Sequence, residues 1–421
     1  MLDIKFIREN KEIVQEGVKK KGLKFDVEEL ITIDEKRREL LSAIEKKRTE
    51  QNAYSEKIPR ETDGVTRLKM IEFTKSLKVE LAVDEEKMKG VMKDWQNLML
   101  RVPNIPDMSV PDGLNDADNK EVRVWGKKPD FGFVPKSHIE LMESLGMVDV
   151  VRGAKVAGFR GYFLKNDGAL LLNAVFQFVL DYFVKKGDFT PMFTPTLVRR
   201  EAFMGTGYLP QGEEDLYKTQ DDLYLTGTAE VPTMGYYMDE IIDKSKLPIK
   251  FISFSPCFRR EAGAHGKDTK GIFRIHEFYK LEQVVLCEAS HQESVKWHEA
   301  LTENSEKILQ ALNLPYHVVL NCGGDLGLGQ VKKYDLEAWV PSEEKYRETH
   351  SSSYFHDFQT RRLNIRYKDS DGKLKFAHSL NNTAIAGPRI LVPLIENNQQ
   401  ADGSIKVPEV LQKYLGKDVI K

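Results

Sequence analysis

Along residues 70–98, mostly apolar positions recur at alternating four- and three-residue steps: Met70, Thr74, Leu77, Leu81, Asp84, Met88, Val91, Trp95 and Leu98, seven of the nine being apolar. That spacing returns side chains to one stripe and predicts a long helix of coiled-coil type. Upstream, Leu30, Ile33, Leu40, Leu41 and Ile44 form a second, shorter stripe. The Pro- and Gly-containing stretch IPRETDG, residues 58–64, separates the two. The first hundred or so residues therefore read as an antiparallel helical hairpin with its stripes as the packing seam. At about 1.5 Å per residue, helices of about thirty residues would extend roughly 45 Å. The remaining faces carry Lys36-Arg37-Arg38 and Lys46-Lys47-Arg48 among acids, which predicts solvated helix surfaces with local ion pairs.

The pattern changes at Arg101, where RVPNIPDMSVPDG brings three prolines within nine residues. A domain of residues 1–105, a linker over 106–130 and a second domain over 131–421 are expected. The second domain mixes a helical stretch, Leu170 to Lys186, with alternating segments such as DLYLTGTAEVP and YHVVLN, which predicts an α+β fold on an antiparallel sheet. Within it, KFISFSPCFRRE places Arg259 and Glu261 on one face of a strand, and GIFRIHEFYKLEQVV places Arg274, His276, Phe278, Lys280 and Glu282 together. Between them, AGAHGKDTKG (262–271) is too long for a two-residue turn and reads as a mobile, cationic, functional loop. Arg forks that grip phosphate or carboxylate, beside an aromatic able to stack on a base, fit a nucleotide. A charged hairpin that is merely solvated remains the alternative at this point.

Composition narrows the choice. The chain has 421 residues, 41% hydrophobic and 30% charged, with a formal net charge of -2, so a nucleic-acid partner would need a localised basic patch. Three cysteines without CxxC spacing point to a reducing cytoplasm, and nine histidines without HExxH or HxxxH predict no structural zinc. The N-terminus lacks the apolar core of a signal peptide, and no segment is expected to span a membrane. No GxxxxGK[ST] occurs, and the glycines of NCGGDLGLGQ (321–330) fit turns better than a dinucleotide loop.

The FRRE hairpin with its aromatic-and-Glu strand resembles motif 2 of the class II aminoacyl-tRNA synthetases. Nearly the whole chain resembles the seryl-tRNA synthetases among them. GDFTPMFTPTLVRREAFMGTGYLP (187–210) is similar to motif 1, with Pro195 as its proline; TGTAEVP (226–232) is similar to the serine-site triplet; HSLNNTAIAGPR, ending at Arg389, is similar to motif 3. The resemblance implies ATP-dependent activation of L-serine, transfer to tRNA(Ser) and also to selenocysteine tRNA, a homodimer built on motif 1, and Mg²⁺ as companion of ATP. It implies catalytic roles for Arg259 and Arg389. Thr228, Ala229, Glu230, Arg259, Glu282, Asn381 and Thr383 would hold serine. Arg259, Arg260, Glu261, Phe278, Glu348, Thr349, His350, Ser351 and Arg389 would hold ATP, with Glu348 and Ser351 also at the metal. Lys36, Arg37, Arg38, Lys46, Lys47 and Arg48 would meet tRNA.

Four positions depart from the commoner pattern of that family: Asn382 and Ala384 stand where glycines are frequent, and His350 and Tyr354 where small polar residues are. Thr383 keeps a hydroxyl where serine is frequent. The added bulk is expected to reshape the pocket. Two rival readings are an amino acid:carrier-protein ligase, which would lack the long hairpin, and a non-catalytic paralogue, which would have lost Arg259, Glu261, Glu282 or Arg389.

Overall fold

The computed structural model describes residues 1–421 except 264, 265, 267 and 269, so the expected mobile loop over 262–271 falls partly outside the described residues. It forms two compact units, one of Met1–Lys19 with Leu23–Pro103 and one of Lys20–Gly22 with Asn104–Lys421.

The helices of the N-terminal region are α1 (Ile4–Glu9), α2 (Lys11–Lys20), α3 (Val27–Lys57) and α4 (Gly64–Arg101). Asp26 caps α3 by accepting from Glu28 N, and Asp63 caps α4 by accepting from Thr66 N. Leu30, Ile44, Leu77, Leu81 and Leu98 are buried as expected of a seam. Leu41 is not: it is 42% exposed. The α3 side of the seam instead runs through polar positions. Asp34, fully buried, takes Arg37 at 2.7 Å and Arg8 at 3.3 Å, and the Arg37 guanidinium lies 4.9 Å from the Trp95 ring centre. Lys47 reaches across to Asp84 at 2.8 Å and Glu80 at 2.9 Å. Asp84, the acid in the apolar stripe, thereby finds its partner, and such polar layers fix register in a helical hairpin.

These pairings divide the basic clusters. Arg37 and Lys47 belong to the seam, and Arg48 pairs with Glu85 at 2.7 Å. Lys36, Arg38 and Lys46 are exposed and have no ion-pair partner among the described residues.

The second unit is built on an eight-stranded sheet. Its strands are β1 (Lys120–Trp125), β2 (Thr190–Phe193), β3 (Ile249–Phe258), β4 (Glu277–Cys287), β5 (Tyr316–Leu320), β6 (Lys332–Val340), β7 (Lys345–His356) and β8 (His378–Gly387). They are ordered β1-β5-β6-β7-β8-β4-β3-β2. Neighbours are antiparallel, except that β2 runs parallel to β3. The expected linker therefore contains an edge strand, β1, which is tied into the sheet by β5.

Two helices, α5 (Asp167–Lys186) and α6 (His291–Ala311), join the sheet in one core in which Val175, Val179, Phe183, Leu301 and Ile308 meet Ile252, Val285 and Leu336. At 20 residues, α5 is long and apolar enough to cross a membrane by length and composition, contrary to the expectation that no segment would be. Here its apolar stripe is buried in this core instead.

On β4 the alternation sends Leu281, Val285 and Cys287 to the helix side, leaving Phe278, Lys280 and Glu282 for the opposite face. The strand starts at Glu277 rather than Gly271, because its pairing with β3 ends at Phe258↔Glu277. Arg274 and His276 consequently leave the face they were expected to share.

Candidate active site

A cavity of about 410 Å³ opens on the face of β4, β7 and β8 opposite the helices, closed at its rim by Thr206–Gly212 and Gly327–Gln330. Its walls bring together Thr228, Glu230, Arg259, Glu261, Phe278, Glu282, Glu348, Thr349, Ser351, Asn381, Thr383 and Arg389. Most residues singled out from sequence thus share one space.

One end is a cluster of buried charge. Glu230 and Glu282 are 4% and 3% exposed. Tyr208 OH donates to Glu230 Oε2 at 2.9 Å, and Gln359 Nε2 donates to its Oε1 at 2.6 Å. Glu282 Oε2 receives Lys280 Nζ at 3.2 Å and Thr383 Oγ1 at 3.4 Å, the latter from its cross-strand partner. Lys280 Nζ also donates to Thr228 Oγ1 at 3.4 Å. Burial pushes both carboxyl pKa values above the ordinary 4.5, and the two charges reinforce the rise at Glu230. Arg259 Nε donates to Gly227 O at 3.2 Å while its guanidinium lies 5.2 Å from the Phe278 ring centre. Two carboxylates and a guanidinium around hydroxyls form a cradle for an ammonium, a carboxylate and a hydroxyl on one small molecule.

The other end is aromatic and basic. Arg389 lies 4.6 Å from the Phe273 ring centre and 3.6 Å from the Glu348 carboxylate. Glu261 holds a left-handed backbone, φ 54°, and its carboxylate takes Arg274 at 2.6 Å. It does not pair with Arg259, the simplest alternative to a binding role. Glu348 keeps a side chain 45% exposed beside Ser351. Among the described residues no group of three His, Cys, Asp or Glu could hold a metal by itself. One carboxylate and one hydroxyl fit an ion whose other ligands come from a bound polyphosphate and water.

Three expected residues lie elsewhere. Ala229 is buried behind the turn that presents Thr228 and Glu230, and Arg260 is exposed beyond the end of β3. His350 points away from the cavity. The β6–β7 pairing slips between Leu336 and Glu337, leaving Thr349 as a bulge. A second slip between Thr383 and Ile385 leaves Ala384 unpaired on β8. His350 Nε2 meets the Ala384 carbonyl at 3.1 Å, with Nδ1 2.8 Å from Thr349 Oγ1, and burial pushes its pKa down to about 4.

The other departures share that side. Asn382 Oδ1 accepts from Gln283 and from Ser305 of α6, and Tyr354 OH donates to Asp107 at 2.9 Å. The side chains at these four positions thus lie behind the sheet, whereas Thr383 lines the cavity.

Sequence reasoning left Tyr208, Gln359, Phe273 and Lys280 without roles. Lys280 was within reach, because it shares the alternation of Phe278 and Glu282. Tyr208, Gln359 and Phe273 come from segments whose spacing carries no signal of convergence.

An antiparallel sheet carrying an arginine- and glutamate-lined cavity of this kind is the core of a class II aminoacyl-tRNA synthetase. Residues 214–398 match the tRNA synthetase class II core domain (G, H, P, S and T), and residues 1–106 match the seryl-tRNA synthetase N-terminal domain. The chain belongs to the seryl-tRNA synthetase family. It is 48% identical to the serine–tRNA ligase of Deinococcus radiodurans over 99% of this chain and 98% of that one. It is 44% identical to that of Caldicellulosiruptor saccharolyticus over 100% of both. The crystal structure of seryl-tRNA synthetase from Pyrococcus horikoshii complexed with ATP superposes with a TM-score of 0.92 at 39% identity, over 100% of this chain and 99% of that one. The cytoplasmic serine–tRNA ligase from Naegleria fowleri in complex with AMP gives 0.88 at 34%, with the same coverage.

Because burial raises the Glu230 pKa above that of the unfolded chain, the folded state binds this proton more tightly. The stability it contributes is present below pH 4.5 and is lost as pH rises through the raised value. Glu230→Gln, which keeps partners for Tyr208 and Gln359, should therefore melt above the wild type at neutral pH. Calorimetry should show that gap closing on acidification; a variant that melts lower at neutral pH contradicts the assignment.

Proposed function

We propose that the chain is a serine–tRNA ligase that activates L-serine with ATP and transfers the seryl group to the terminal ribose of tRNA(Ser). The observation that carries the reading is the single cavity in which Arg259, Glu282, Thr383, Phe278 and Arg389 meet, in a chain related over its full length to serine–tRNA ligases. In activation, a serine carboxylate oxygen attacks the α-phosphorus of ATP; the bond to the bridging oxygen breaks, and pyrophosphate leaves with that electron pair. Arg259 bridges the serine carboxylate and the α-phosphate, aligning the two reactants and offsetting charge as it gathers on phosphorus. In transfer, a ribose hydroxyl of the tRNA adds to the activated carbonyl, loses its proton and expels AMP.

Thr228, Glu230 and Glu282 orient the substrate ammonium, and Glu282 with Thr383 receives the serine hydroxyl. Asn381 completes that end. Phe278 and Arg389 offer two faces for adenine, and Glu261 its edge, with Arg274 holding that carboxylate in place. Glu348 and Ser351, with Thr349 beside them, stand at the phosphates and would hold Mg²⁺, which supplies charge neutralisation to the polyphosphate when bound. His350 and Ala229 act behind the walls, and Arg260 outside them.

A homodimer is supported by motif 1, whose strand β2 ends the sheet with Phe193 81% exposed and is followed by Leu197 at 51%. Such an apolar edge is covered most simply by a second copy. The free, buried cysteines Cys257, Cys287 and Cys322 are consistent with a reducing cytoplasm. The carrier-protein ligase is disfavoured by the match of residues 1–106 to a synthetase N-terminal domain, and a non-catalytic paralogue by the intact cavity.

Two measurements check this reading. ATP–pyrophosphate exchange should depend on serine and reject alanine by about 10⁴, because alanine leaves the hydroxyl's partners buried and unpaired. Comparable turnover with alanine would remove the pocket assignment.

For tRNA, reversing Lys36, Arg38 and Lys46 to Glu should weaken binding and flatten its dependence on log salt by about 0.7–0.9 for each phosphate no longer neutralised. Arg37→Ala and Lys47→Ala should lower the stability of the hairpin and leave that slope nearly unchanged. Equal effects from both sets would mean that the seam pairings do not separate structural from binding cations.

A further inference from the structure

Lys21 is 3% exposed and has no carboxylate partner among the described residues. Its Nζ instead donates to three backbone carbonyls, Gly327 O at 2.9 Å, Leu328 O at 2.9 Å and Gln330 O at 2.6 Å. Burial pushes the pKa well below that of a free lysine. Three carbonyl acceptors nevertheless call for three N–H donors, and only the ammonium supplies them. The remaining carbonyl of the run, Gly329 O, accepts from Asn104 Nδ2 at 3.0 Å. Asn104 N also donates to Leu328 O at 2.9 Å, and Asn104 Nδ2 to Phe355 O at 2.7 Å.

These two residues sit at particular places in the chain. The second unit takes in Lys20–Gly22 before the chain departs for the helical hairpin, and resumes at Asn104 on its return. All four carbonyls of residues 327–330 are thus taken by side chains or amides from the two crossing points. That run is itself a wall of the active-site cavity. As expected from sequence the run is a turn, closed by Gln330 N donating to Gly327 O at 3.1 Å, and a Cβ at Gly329 would lie 2.6 Å from the Phe358 ring, so glycine is needed there for close approach as well. The wall is coupled to the amino-acid end, because Gln330 Nε2 donates to Ser353 Oγ at 2.8 Å and Ser353 is the cross-strand partner of Asn381.

We propose that Lys21 and Asn104 are positioning residues for serine. By saturating the carbonyls of Gly327–Gln330 from the two crossing points, they hold that wall against Ser353 and Asn381. The inference rests on the serine-activating function proposed above. A mispositioned wall loosens substrate binding at one end of the cavity while leaving the adenine end and the attacking geometry at Arg259 in place.

The test is steady-state ATP–pyrophosphate exchange on the full chain, with melting temperatures in parallel, for Lys21→Met, Lys21→Arg and Asn104→Ala. Lys21→Met and Asn104→Ala should each raise KM for serine about tenfold, with kcat and KM for ATP changing by no more than about twofold. Lys21→Arg, which keeps a charged donor, should recover most of the loss. If both variants melt lower yet keep the wild-type KM for serine, the residues support the fold only and the proposal is wrong. A parallel loss in kcat and both KM values also overturns it. Should Lys21→Met fail to fold, Asn104→Ala decides alone. A wild-type chain without serine-dependent exchange would sink the proposed function and this inference together; wild-type exchange with unmoved KM values in the variants sinks the inference alone.

Discussion

Strand alternation on a sheet buried on both faces is the constraint from which the rest of this structure follows. On β4, Leu281, Val285 and Cys287 enter a core shared with α5 and α6, while on the other face Phe278, Lys280 and Glu282 line the cavity and Val284 and Leu286 beyond them enter a second core with Phe251. A one-residue slip would exchange Leu281 with Lys280 or Glu282, placing charge in a core with no partner for it. The hydrophobic pattern that stabilises the fold therefore also aims the reactive groups. Where β7 and β8 carry bulges, the same rule decides which residue is functional and which is structural.

The cavity is costly to maintain. Glu230, Glu282, Lys280 and Arg259 are charged groups held largely out of water, and each needs donors or acceptors from its neighbours. Tyr208 and Gln359 satisfy Glu230; Lys280 and Thr383 satisfy Glu282, and Lys280 also donates to Thr228. What the fold loses in stability at neutral pH it retains as a preorganised receptor, whose donors need not be assembled when substrate arrives. The same logic extends to the rim, where Lys21 and Asn104 fix a wall made of backbone carbonyls.

Much of this is legible in the amino-acid sequence. The alternation through FRRE and FYKLE places Arg259, Phe278 and Glu282 on the cavity side, and the four-three periodicity marks the long hairpin helices. What fails does so where a local period breaks. His350 is assigned to the nucleotide by the resemblance alone, whereas the bulge at Thr349 turns the histidine to the opposite face. Arg260 is likewise assigned by the resemblance alone: β3 ends at Phe258, and alternation would in any case set Arg260 on the face opposite Arg259 and Glu261. In the hairpin, Arg37 and Lys47 read as surface cations when only apolar residues are counted in the seam, although Asp84 in the α4 stripe already calls for a cationic partner. Tyr208, Gln359 and Lys21 meet their partners across more than a hundred residues or from separate loops, and no short-range pattern encodes that convergence.

The most direct test of the alternation-defined receptor is a crystal structure of the chain with a non-hydrolysable seryl-adenylate analogue. The serine hydroxyl should lie within hydrogen-bonding distance of Glu282 and Thr383, with its ammonium at Thr228 and Glu230 and the adenine between Phe278 and Arg389. A ligand whose hydroxyl touches neither Glu282 nor Thr383, or whose adenine stacks elsewhere, would contradict it.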